Sequence, residues 1–329
     1  MNAIRFLVAL SCSLYLTMAA TRAADGVALG GKVTVQFADL ATGNRILGTR
    51  DDFIAALTPF ERAARMVTNR EVSEQEFLEF ARTNVLAWTP EETNRLTRAL
   101  QTVAQRLAPW HLPFPETVWL IKSTGHEEID ADYTRQNAII QPVSMLRSLS
   151  PDILQHELFH VLSRANPELR EKLYGLIGFQ RINEVAVPAE LAGRLWTNPD
   201  GVQNGWRLQV TNQNETLSVV PDLFAPANFT CTNVVNPFSF FRLLEVENVG
   251  GKWRPKLTTG HPRLLSLREV TGFTEQTGRN TRYVIHPDEI LADNFVLLLN
   301  NRTNLATPRI IAEMKEIFTP YHRLPPPGQ

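Results

Sequence analysis

Five consecutive residues carry the strongest chemical signal in the chain: His156-Glu157-Leu158-Phe159-His160. Histidines four apart stand one turn apart on the same face of a helix. At that spacing two imidazoles can share one Zn2+. Glu157 projects beside them, placed to act on a zinc-activated water as general base. Catalytic zinc needs three protein ligands and one open position, so His156 and His160 are an incomplete set. No glycine or histidine lies between His160 and Pro167, which excludes an H-E-x-x-H-x-x-G-x-x-H continuation. The third ligand is expected to be a carboxylate from a later helix.

Two segments offer one. "HPDEILADNF" (286–295) has a clear helix start at His286-Pro287, and Glu289 and Asp293 share a face one turn apart. Glu289 can bind the metal. Asp293 can accept the free N–H of a ligating histidine and fix its tautomer. "RINEVAVPAEL" (181–191) offers Glu184, but Pro188 threatens helix continuity there. Glu289 is the preferred ligand. Tyr283 and His286, just before the Glu289 helix, are candidates to stabilise an oxyanion. A strand aromatic and a helix N-cap are equally good readings of those two residues.

H-E-x-x-H followed by a distant E-x-x-x-D helix resembles the gluzincin metallopeptidases, thermolysin among them. "EILAD" (289–293) resembles the E-x-x-A-D form of the CAAX-prenyl endopeptidase group. The resemblance covers the two motif helices and the strand before the first. It implies a zincin-like fold, a zinc cofactor and a peptide or protein substrate. The chain departs from the CAAX group in lacking membrane helices and in an insertion at about 195–285, which excludes a prenyl-protein substrate. "INEVAVPAE" resembles thermolysin's N-E-x-x-S-D element, with Pro188 where that element has its aspartate.

These groups must be positioned by regular elements. Ser150-Pro151-Asp152 signals an N-cap, a proline at the first helical position and an acid in the first turn, so the motif helix should run from Ser150 to Asn166. A second helix opens at Pro167. "ETVWLIKS" (116–123) and "RQNAIIQP" (135–142) read as strands, the second an edge strand able to pair with an extended peptide. Three- and four-residue apolar spacing predicts helices in "DDFIAALTPFERAARM", "SEQEFLEFARTNV" and "TPEETNRLTRALQTVAQRLAPW". Short apolar segments such as "WRLQV", "TLSVV", "FRLLEVEN" and "RYVIH" predict a β-rich insertion. Helices at about 287–300 and 308–318 close the chain. The fold class is α+β.

The chain as a whole fits an exported protein. Arg5, an apolar run from Phe6 to Ala20 and small residues at "TRAAD" read as a signal peptide over residues 1–23. Its removal takes away Arg5 and Arg22 and no acid, from a formal charge of −1. There is no basic tract, so nucleic acid is not an expected partner. No later stretch has the roughly 18 apolar residues of a membrane helix, so stable membrane insertion is not expected either. Of two cysteines only Cys231 remains, which excludes an intramolecular disulfide. These traits suit the bacterial periplasm or the extracellular space. The organisation reads as the signal peptide, an N-terminal helical region over 24–110, and a catalytic domain over 111–325 carrying the insertion. The expected activity is that of a zinc metallopeptidase. The other reading is a non-catalytic, zinc-containing envelope binding protein. The oligomeric state is left open.

Overall fold

The computed structural model describes residues 26–227, 229–231 and 237–322. The signal peptide expected over residues 1–23 and the C-terminal "LPPPGQ" lie outside them.

One mixed sheet forms the frame. Its strands are β1 (Val27–Gly30), β2 (Val33–Phe37), β3 (Val85–Leu86), β4 (Thr117–Ser123), β5 (Tyr133–Arg135) and β6 (Ala138–Pro142). The order is β1-β2-β4-β6-β5, with β3 paired to the far end of β4. β2, β4 and β6 are parallel, and the outer strands β1 and β5 are antiparallel to their neighbours. β6 is buried at every position, as expected of an inner strand with apolar neighbours on both faces.

Two expectations change here. "RQNAIIQP" is not one strand. Arg135 pairs with Ala138 across a tight turn, and Gln136 takes a left-handed φ of 52°. The segment is the turn and second strand of a β5–β6 hairpin, so the sheet edge belongs to β5. The boundary drawn at residue 110 also runs through this sheet, because β1 and β2 come from the N-terminal region.

Between β2 and β4 the chain runs through α1 (Leu40–Leu47), α2 (Asp52–Ala56), α3 (Pro59–Arg65), α4 (Glu74–Thr83) and α5 (Pro90–Leu107). The helix expected over "DDFIAALTPFERAARM" divides into α2 and α3. Pro59 cannot continue a helix but can start one, and Thr58 caps α3 with Glu61 in a capping box. Thr89, Pro90 and Glu92 start α5 in the same way. Leu96, Leu100, Val103 and Leu107 form its buried face, which packs on β1 and on the motif helix.

After β6 come α6 (Pro151–Ala165) and α7 (Pro167–Leu176). A second sheet follows, ordered β11-β10-β9-β8-β7 from β7 (Gln180–Arg181), β8 (Trp206–Asn212), β9 (Glu215–Leu223), β10 (Phe241–Val249) and β11 (Lys252–Pro255). Helix α8 (Ala189–Ala192) lies between β7 and β8. Beyond β11 are β12 (Leu257–Thr258), β13 (His261–Pro262) and β14 (Leu264–Leu265), the last paired to β10. "RYVIH" is not a strand but irregular chain leading into the next long helix. Helices α9 (Phe273–Thr277), α10 (Pro287–Leu299) and α11 (Pro308–His322) complete the molecule. The main apolar core is continuous from β1, β2 and α5 through α6, α7, α10 and α11 to β8. The two sheets are thus joined across the motif helix. No helix among the described residues is long and apolar enough to cross a membrane.

Candidate metal centre

Helix α6 starts where the local chemistry dictates: the Ser150 hydroxyl accepts the Ile153 N–H, and Pro151 occupies the first position. Leu154, Leu158, Phe159, Val161 and Leu162 are fully buried. That burial fixes the rotation of α6 and turns His156 and His160 toward α10, its closest helical neighbour. Helix α10 is buried along nearly its whole length and brings Asp288, Glu289 and Asp293 to the same place.

The carboxylate of Glu289 lies between the two imidazoles. Its Oε2 is 3.0 Å from His156 Nε2 and 3.4 Å from His160 Nε2. A tetrahedral ion with bonds of about 2.0 Å holds its ligands roughly 3.3 Å apart, so these separations match two edges of such a site. Glu289 Oε1 accepts a hydrogen bond from Asn198 Nδ2 at 2.7 Å, leaving Oε2 to face the histidines. His160 Nε2 is buried and makes no hydrogen bond among the described residues. An orphaned ring nitrogen in a buried, acid-rich site is what a metal ligand should look like.

Each histidine is held from behind. His156 Nδ1 lies 3.0 Å from Asp293 Oδ1, and His160 Nδ1 lies 2.7 Å from Asp288 Oδ2. A carboxylate at Nδ1 takes that N–H and leaves the Nε2 lone pair free for a metal. Asp293 also accepts from the Thr281 hydroxyl. Asp288 accepts from Ser163 Oγ at 2.5 Å and from the Tyr174 hydroxyl at 2.7 Å.

Glu157 is buried, and its Oε2 accepts from Thr134 Oγ1 on β5 at 2.9 Å. Its ligand-type atom lies within 4.8 Å of those of both histidines. Burial raises its pKa and the neighbouring Glu289 adds to this, against the pull of the two histidines. Such a carboxylate takes up a proton more readily than one in water. Burial opposes ionisation of Glu289 as well, but the two histidines outweigh it and hold its pKa low.

Tyr283 stacks on His156, ring centroids 6.1 Å apart and planes 22° from parallel. Burial and the surrounding carboxylates raise its pKa well above the usual phenol range, so it stays a hydrogen-bond donor. His286 has a different place. Its Nδ1 accepts the Asp288 N–H at 3.1 Å, which makes it the N-cap of α10. A Cβ at Gly201 would stand 2.2 Å from that nitrogen, so glycine is needed there. Burial lowers the His286 pKa to about 4. The ring does not line the cavity beside His156, and the geometry gives it no part in oxyanion stabilisation. Glu184 is also apart: it sits outside any helix and accepts the Asn204 N–H at 2.5 Å.

Four groups at the centre were not anticipated from the sequence: Asp288, Asn198, Asp200 and Thr134. Asp288 was visible only as a first-turn acid beside Glu289. Asn198 and Asp200 belong to "TNPDG", which reads as a turn. Asp200 Oδ1 accepts the Thr134 N–H at 2.7 Å, and its carboxylate lies within 4.8 Å of ligand atoms of His160 and Glu289. Burial raises its pKa, with Glu157 and Glu289 adding to the effect. The loop bearing Asn198 and Asp200 is tied down at two points. Arg164 Nη2 donates to Pro199 O at 2.6 Å. Arg65 of α3, paired with Glu128 at 2.6 Å, donates to Thr197 O at 2.9 Å. The N-terminal region therefore helps to build the centre.

No protein-family model matches this chain, and neither does any curated protein or solved structure.

Proposed function

We propose that this protein is an exported zinc-dependent hydrolase, a metallopeptidase of gluzincin type with a zincin-like catalytic fold. The observation that carries the reading is the approach of Glu289 Oε2 to the Nε2 atoms of His156 and His160, each ring held from behind by its own carboxylate. His156, His160 and Glu289 would hold the metal. Bound zinc would polarise a carbonyl and lower the pKa of water toward about 7.

The chain's own groups supply the rest. Glu157, held by the Thr134 hydroxyl, takes the proton of the attacking water and delivers it to the leaving nitrogen. Its raised pKa suits both halves of that transfer. Tyr283, protonated and lining the cavity, is the donor proposed for the developing oxyanion. Asp293 and Asp288 keep both histidines in the ligating tautomer. A cavity of about 780 Å3 opens beside His156, Glu157 and Glu289, large enough for several residues of a peptide.

The competing reading is a zinc-containing binding protein without turnover. Glu157 favours the hydrolase, because a purely structural zinc site has no use for a buried base next to the ligands. Metal analysis of purified protein together with digestion of a casein-type substrate tests both. About one zinc per chain and zinc-dependent cleavage support the proposal. One zinc with no cleavage of any protein substrate leaves the binding protein.

A further inference from the structure

The lining of the 780 Å3 cavity has two chemical characters. One is apolar, with Ile129 and the rings of Trp196, Phe238 and Tyr283 among its groups. Two of the rings follow one another from His156. Tyr283 stacks on His156, Phe238 meets Tyr283 edge-on at 4.9 Å, and Phe238 is 45% exposed. The second character is charge of one sign. Apart from His156, every charged side chain described in the lining is a carboxylate, with no lysine or arginine among them.

Several of those acids already face a cation or an imidazole: Glu128 pairs with Arg65, Asp152 with Arg106, and Glu289 and Asp293 with His156. Asp130 and Asp132 differ. Among the described residues they meet neutral side-chain partners, Ser144 Oγ at 2.7 Å for Asp130 and the Gln141 amide for Asp132. The backbone is also held in an unusual shape at this point. Ile129 and Asp130 both have left-handed φ, 54° and 58°, and the Asp130 N–H donates to Gly125 O at 2.8 Å. A β-branched residue in that region is strained, and such strain persists only where the surroundings impose it. Here it turns an apolar side chain and an acid into the same cavity.

We propose, on the metallopeptidase reading of the site, that this cavity selects peptides in which a bulky apolar side chain adjoins a lysine or arginine. The apolar side chain packs on Ile129, Trp196, Phe238 and Tyr283, where its burial drives binding. The basic group reaches Asp130 and Asp132, which gain a charged hydrogen-bond partner, and the aromatic faces favour it further. An acidic residue in its place meets the carboxylates of Asp130 and Asp132 with no lysine or arginine in the lining to offset them, and is disfavoured.

The test uses three peptides identical except for one dipeptide: Phe-Arg, Phe-Gln or Phe-Glu. Cleavage is measured with the zinc-loaded protein, and binding by calorimetry with the Glu157→Gln protein. The Phe-Arg peptide should exceed Phe-Gln by about tenfold and Phe-Glu by about a hundredfold, in kcat/KM and in affinity. In an Asp130→Asn, Asp132→Asn double variant the Arg-to-Gln ratio should fall to within about twofold of one, and Asp130→Lys should shift preference toward Phe-Glu. Cleavage of all three peptides at equal rates, or fastest cleavage of Phe-Glu, overturns this inference and leaves the hydrolase standing. Discrimination in binding without cleavage supports the cavity's preference and overturns the hydrolase. Equal binding without cleavage overturns both.

Discussion

His156 and His160 make the same kind of contact in different surroundings. Each gives its Nδ1 side to a carboxylate of α10 and its Nε2 side to Glu289. The His160–Asp288 pair is sealed, with side-chain exposures of 1% and 3%. Asp288 is also the shared acceptor for Ser163 and Tyr174. The His156–Asp293 pair faces the cavity, with exposures of 15% and 34%. One sequence motif has therefore produced a buried end, where the histidine–carboxylate contact is part of the folded core, and an open end, where it belongs mainly to the site. Burial makes the difference: removing one partner from a sealed polar network strands every other member, whereas water can replace a partner at the open end.

The largest effect should come from the proposed ligands themselves. Glu289→Ala and His160→Ala should each abolish zinc binding, and Glu184→Ala should retain it. Metal analysis of the purified variants is the check. Stoichiometric zinc in either of the first two would remove the proposed ligand set, and loss of zinc in the third would redirect attention to Glu184.

Next in size is the base. Glu157→Gln should keep its zinc and its fold and lose turnover by about 10²–10⁴-fold. Hydrolysis at the wild-type rate would take Glu157 out of the mechanism.

The comparison itself is tested by truncating each supporting carboxylate. Asp288→Ala leaves His160, Ser163 and Tyr174 without their buried acceptor. It should weaken zinc and also destabilise the fold, by on the order of 3 kcal/mol. Asp293→Ala should weaken zinc by roughly 10–100-fold, with a smaller fall in thermal midpoint than Asp288→Ala. Equal losses of stability in the two variants would show that the ends are not different in kind.

The smallest effect is one of pH, and it sharpens the contrast at the open end. Burial disfavours the charged form of His156, but the hydrogen bonds it donates to Asp293 and Glu289 outweigh this and push it up to about 10. An unfolded histidine titrates near about 6.5. The folded value is the higher, so in zinc-free protein this group's stabilisation is complete below about pH 6.5 and is lost as pH rises toward about 10. Zinc competes with the same proton. Its affinity should rise with pH over that interval, with proton release visible by calorimetry in buffers of different ionisation heat. A zinc affinity constant across the interval would mean that His156 carries no such proton.

Much of the centre was legible because its signals are local. The N-cap serine and first-position proline of α6, the four-residue histidine spacing, and the His286-Pro287 start of α10 all act within about one helical turn. They fix which side chains share a face whatever the rest of the chain does. The same locality explains the errors. "RQNAIIQP" has the composition of one strand, but the turn after Arg135 is set by pairing between β5 and β6. "RYVIH" has strand-like residues and, among the described residues, no neighbouring strand to bond with. His286 looked equally able to serve as a cap or as a donor at the site, and the packing of its ring against Gly201 gave it to the cap.

By itself the sequence determined the helix carrying His156, Glu157 and His160, and the later helix carrying Glu289 and Asp293 on one face. Only the tertiary structure decided that Asp288 stands behind His160, that Asn198 and Asp200 reach the centre on a loop tied to Arg65 and Arg164, and that β1 and β2 belong to the same sheet as the strands beside the site. These are meetings between segments far apart in the chain: 128 residues separate His160 from Asp288, and 132 separate Arg65 from Thr197. No turn-scale pattern encodes such a meeting. It follows from which apolar faces bury one another when the whole core closes.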